Sequence, residues 1–175
     1  MHISKRHIFA CLACLGFALL PFSVCASPNP HDIILKLASE SLHPQTANAL
    51  QFLIPKGWNA RNEGNDLTFH VPYHKGILGH IIQNNNQSQD ELRSALEKTY
   101  HTELTEISRE ELNTEQLHGS KSHLSGLFGE ETYTILLFTG SLPDQSKIVL
   151  YAIAPSHWFQ SYEPLFLDIL NSIHK

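Results

Sequence analysis

All three cysteines of the chain, Cys11, Cys14 and Cys25, fall within its first 25 residues. Everything after them must fold without a disulfide, and has no thiolate metal site and no cysteine nucleophile. A domain without such staples holds together by burying apolar surface, which the 149 residues from Ser27 to Lys175 are enough to do. The cysteines themselves sit in a leader-like stretch. Lys5 and Arg6 supply a positive start, residues 8–20 are apolar but shorter than the roughly 20 residues of a membrane span, and Val24 and Ala26 put small side chains at the −3 and −1 positions of a cleavage site. Residues 1–26 are therefore expected to be a signal peptide and residues 27–175 a single domain, periplasmic or secreted, with no transmembrane anchor after cleavage. Lipid attachment at Cys25 is disfavoured by Val24 before it, and at Cys14 by the short apolar stretch it would leave.

Removing residues 1–26, with Lys5, Arg6, His2 and His7, leaves ten basic and seventeen acidic residues, a net charge of −7, and ten of the twelve histidines. An acidic chain without a basic cluster argues against nucleic acid and anionic lipid as partners. Ile33, Ile34, Leu37, Ala38 and Leu42 predict a helix over 31–42, ended by His43-Pro44. Leu50, Phe52 and Ile54 alternate into the Pro55-Lys56-Gly57 turn, residues 62–66 read as turn, and strands are expected over 67–71 and 77–83. Ser88 and Glu91 form a capping box opening a helix over 88–101 with a stripe of Leu92, Ala95 and Leu96.

A charged edge strand is expected over 104–110, followed by a strand over 117–128 broken at Gly119 and Gly126. Strands over 132–139 and 147–154 complete an antiparallel meander. The last helix, capped by Ser161 with Pro164 in its first turn, lines up Tyr162, Leu165, Phe166, Ile169, Leu170 and Ile173. That stripe is expected to bury against a sheet containing Ile135, Leu137 and Val149. The fold class is α+β, a mostly antiparallel sheet with helices packed on its faces.

Two stretches in this order, Ile54-Pro55-Lys56-Gly57-Trp58 and the run from Phe166 to Ile173, resemble the PsbP-like superfamily, as do the capped central helix and the meander between them. That group includes the extrinsic photosystem II subunit, a Ran-binding nuclear transport factor and periplasmic DcrB-type proteins. The resemblance implies a sandwich of sheet and helices and a non-enzymatic accessory or binding role. It transfers no site residue.

Chemistry could reside in His70, His74 and His80, with His118 and His123 as further ligands, since imidazole suits zinc or copper where no thiolate exists. Against this, no carboxylate lies among the three, Asp66 being the nearest, so a tight metal site is not expected. Ser122-His123 and Ser156-His157 are sequence neighbours, which rarely make a triad, and there is no Gly-x-Ser-x-Gly or His-Glu-x-x-His pattern. Glu130-Glu131 reads as a charged turn. Trp58 is expected in the core, while Trp158 and Phe159 are candidates for partner contact. The expected function is a non-enzymatic binding or accessory protein of the cell envelope, its partner a protein or envelope component, with no cofactor. A histidine-dependent periplasmic metal-binding protein and a secreted hydrolase without a catalytic cysteine are the alternatives. Mass analysis of the exported protein should find an unlipidated chain starting at Ser27; a diacylated Cys25 would overturn this.

Overall fold

The computed structural model describes residues 42–175 apart from 48, 49, 65, 73 and 75. The leader, Cys25 and the helix expected over 31–42 lie outside the described residues, except that Leu42 opens a strand. The elements run β1 (Leu42–Ala47), β2 (Leu50–Pro55), β3 (Asn59–Glu63), β4 (Asp66–His70), β5 (Leu78–Gln83), α1 (Gln89–Tyr100), β6 (Thr105–Asn113), β7 (His118–Phe128), β8 (Glu131–Ser141), β9 (Lys147–Pro155) and α2 (Ser156–Asn171). Seven strands form one antiparallel sheet in the order β3-β4-β5-β9-β8-β7-β6, and β1 pairs with β2 in a separate ribbon. This is the expected α+β sandwich.

The inner strands β8 and β9 are apolar in unbroken runs because both their faces are covered. Alternation sends Leu136, Phe138, Leu150 and Ala152 to the face that carries α2 and β2. Ile135, Leu137, Val149 and Ile153 go to the opposite face, against Leu92 and Leu96 of α1. The expectation that α2 docks on Ile135, Leu137 and Val149 is thus corrected. The strands were placed rightly, but the side-chain period of two makes neighbouring residues serve opposite layers.

Other corrections have equally local causes. β7 is not broken at its glycines and pairs with β8 along its whole length. Helix α2 begins at Ser156, five residues before Ser161, because Phe159 extends its buried stripe by a turn. Pro164 therefore lies in the helix interior. The carbonyl it leaves without a partner, four residues back, belongs to the exposed Gln160, on the solvent side. β1 carries Pro44 in a two-stranded ribbon, a position proline tolerates, and β3 is a polar edge strand with no apolar pattern to reveal it.

Helix α1 has the capping box the sequence announced. The Ser88 amide donates to Glu91 Oε2 at 2.7 Å and the Glu91 amide donates to Ser88 Oγ at 3.3 Å, which holds the Glu91 carboxyl below its ordinary pKa. Below the sheet, Trp58 is buried against Phe69 (5.9 Å between centroids), Tyr162 (6.0 Å) and Phe166 (6.0 Å). Phe69 lies across Gly79 on the paired strand, where an added Cβ would fall 2.0 Å from its ring. The C-terminus is tied back to β2, the Leu53 amide donating to Ser172 Oγ at 2.8 Å. Leu170 is fully buried under α2. Leu170→Ala should cost about 2–5 kcal/mol in urea unfolding; an unchanged midpoint would mean that the helix is not docked by this stripe.

Candidate functional site

Strand register gathers polar residues that lie far apart in the chain. Glu111, Ser120 and Thr139 stand in one row across β6, β7 and β8, and Asn113, His118, Ser141 and Lys147 form the next row out. Both rows are on the face that carries α1. The helix reaches only to their inner side, where the buried Gln89 donates through Nε2 to the carbonyls of Ser120 and Leu137, both at 3.4 Å. Beyond it opens a cavity of about 360 Å³, floored by these strand ends and walled by Asn85, Asn86 and Gln87.

The wall is fixed by its own hydrogen bonds. Asn84 adopts a left-handed backbone (φ 56°), and its amide donates to the Lys147 carbonyl at 2.8 Å. Asn85 Oδ1 accepts from the Gln87 amide at 2.8 Å, and the capping box follows immediately. At the floor, Gly119 faces Gly140 across the β7–β8 pair. A Cβ on Gly119 would sit 2.2 Å from the Thr139 carbonyl oxygen, and one on Gly140 would sit 2.5 Å from that of His118. The missing side chains would point to the face that carries α2, away from the pocket, and the strands approach too closely there for either position to hold one.

The fold uses some of the pocket's polar groups, Asn85 with Gln87 and His118 with Asn113, but leaves its two charged ones unpaired. Arg109 is paired with Glu106 and Asp90, Lys121 with Glu110, and Lys175 with Asp144, whose carboxyl is pulled down to about 2 by the Lys175 ammonium and by Ser146. Lys147 and Glu111, both exposed, make no ion pair among the described residues. The Ser120 hydroxyl is buried without a hydrogen-bond partner among the described residues.

The histidines go to separate tasks. His70 Nε2 meets Asn59 Nδ2 at 3.2 Å, the His74 amide donates to the Val71 carbonyl, and His80 Nδ1 meets the Tyr151 hydroxyl at 2.9 Å with Nε2 3.6 Å from Asp66. Asp66, distant from His80 in sequence, thus reaches it across the β4–β5 pair. His118 Nδ1 contacts Asn113 Oδ1 at 3.3 Å. Among the described residues no three His, Asp or Glu side chains converge as metal ligands.

His123 engages not its neighbour Ser122 but Ser108 Oγ, at 2.9 Å from Nδ1, and its Nε2 lies 2.8 Å from Glu163 Oε1, a contact without a hydrogen bond's angle. Ser108 is exposed on an edge strand and lies outside the cavity. Ser156 Oγ meets Thr134 Oγ1 at 2.9 Å, and His157 pairs with Glu131 at 3.3 Å. Trp158 is half-buried against the main core. Phe159 is buried, edge-on to His123 at 5.6 Å. Sequence reasoning missed the pocket because its floor comes from four strands whose register no local pattern encodes.

No family model matches the sequence, and no curated protein matches it. Solved structures do. Cyanobacterial PsbP (CyanoP) from Synechocystis sp. PCC 6803 is similar with a TM-score of 0.56 at 14% identity, over 77% of this chain and 92% of that one. The Saccharomyces cerevisiae Ran-binding protein Mog1p is similar with a TM-score of 0.57 at 8% identity, over 77% and 96%. The fold of the chain is PsbP-like.

Gly119→Ala should destabilise by about 1–3 kcal/mol, the range for overpacking. Gly126→Ala should cost less, since its closest clash, at 2.6 Å, is with a movable Leu104 methyl rather than with backbone. Equal unfolding midpoints for the two variants would contradict the close approach at Gly119 and Gly140.

Proposed function

We propose that this protein is an exported, non-enzymatic accessory protein of the cell envelope that acts by binding, with the pocket between residues 84–88 and the ends of β6–β9 as its binding site. One observation carries the reading. The pocket's wall is braced by its own hydrogen bonds, yet Glu111 and Lys147 carry charges that no described residue neutralises, and Ser120 holds a buried hydroxyl without a partner. Two opposite charges held apart on a braced surface, and paired neither with each other nor with a neighbour, suit a ligand that carries the complementary charges. The leader-like first 26 residues support the compartment, and the PsbP-like fold, shared with a protein named for binding Ran, supports a role by association rather than by catalysis.

Site-specific photo-crosslinking in cells tests this, using the full chain with its own leader. A crosslinker at Asn86, on the pocket wall, should capture a discrete envelope component, and one at the exposed Lys56 should not. Thr139→Trp, which fills the floor, should abolish the capture. Identical products from both positions, or a protein retained in the cytoplasm with residues 1–26 intact, would sink the proposal.

A further inference from the structure

The chemistry of the pocket narrows what it takes. Glu111 lies on β6 and Lys147 on β9, three strand spacings apart and two residues out of row, so their backbones are about 16 Å apart across the sheet. Both side chains line the cavity and do not pair with each other. A simple anion would meet Lys147 but face Glu111, a simple cation the reverse, and a neutral sugar would use neither charge. No Phe, Tyr or Trp is among the residues that line the cavity, so a sugar or a base finds none of the large rings it stacks on best. What lies between the charges is hydroxyl and amide: Ser120 and Thr139 on the floor, Asn86 and Gln87 on the wall. Side-chain amides and hydroxyls offer both donors and acceptors, which is what the alternating N–H and C=O of a peptide requires.

We infer that the pocket binds a short peptide with free termini, its ammonium against Glu111 and its carboxylate against Lys147. Length follows from geometry. Side chains stand roughly perpendicular to a sheet, so the two charges keep about that separation; a contact of about 2.8 Å at each end leaves about 10 Å, and at about 3.3–3.6 Å per extended residue three residues bridge the gap. The inference deepens the proposed function and rests on the pocket being its binding site.

Saturation-transfer NMR and calorimetry on the mature protein test it with a mixed library of tripeptides carrying free termini. Matched controls are N-acetylated, C-amidated, and a neutral disaccharide. Free tripeptides should bind, and blocking either end should weaken binding about tenfold or more, as losing a charge-assisted contact does. Glu111→Gln should remove the penalty of acetylation while leaving that of amidation, and Lys147→Gln should do the opposite, with thermal melts of both exposed-site variants unchanged. Blocked peptides that bind as well as free ones, a disaccharide preferred over the peptides, or no library member bound at about 10 mM would each overturn the inference. If Asn86 still captures its envelope component in that last case, the binding function stands and only the peptide assignment falls.

Discussion

Trp58 is the residue on which the layers depend. It follows the turn that ends β2, and its ring contacts Phe69 on β4 and both Tyr162 and Phe166 on α2. One indole thus joins the ribbon, the outer half of the sheet and the C-terminal helix, none of which touches the others through sequence proximity. Burial pushes the Tyr162 hydroxyl up to about 12, so the cluster stays uncharged well above neutral pH. Gly79 belongs to the same arrangement, since only a missing side chain lets Phe69 lie flat over β5 and reach Trp58.

What the sequence made legible were features whose signal is local. The Ser88–Glu91 box, the β7–β9 meander, the stripe from Tyr162 to Ile173 and the burial of Trp58 are each written in a few adjacent residues. What it hid depended on pairing. β3 and β1 are strands because their neighbours are strands, and Asn59–Glu63 carries no apolar alternation of its own. The facing of Ile135 and Leu136 could not be told in a run buried on both sides, where alternation disappears. Ser161 looked like a cap because Pro164 three residues later suits a first turn. The extra turn from Ser156 becomes favourable only once Phe159 has a core to enter.

The histidines illustrate the same limit. His70, His74 and His80 are close in sequence and occupy a β4–β5 hairpin, which invited a metal reading. Yet His80 stands opposite Thr68, and His70 opposite Leu78. The His70 ring instead meets Asn59 across β3–β4 and the His80 ring meets Tyr151 across β5–β9, while His123, elsewhere in the sheet, meets Glu163 from α2. A histidine-rich composition is used here as a set of separate polar fasteners between elements.

The pocket follows from a mismatch of lengths. Helix α1 has 12 residues, about 18 Å of axis at 1.5 Å each, whereas β7 and β8 have 11 residues each, about 37 Å at 3.4 Å each. No placement of that helix can cover those strands, so part of the sheet must face solvent. The sequence divides accordingly: Leu124, Ile135 and Leu137 lie under the helix, and Ser120, Thr139, His118 and Ser141 beyond it. Polar residues there would suffice to keep the overhang soluble. They do not by themselves explain why the Asn85–Gln87 wall is braced over the overhang. A merely solvated surface has no need of a fixed shape. The combination of a braced wall with unpaired charge is what makes the uncovered end of the sheet the candidate site.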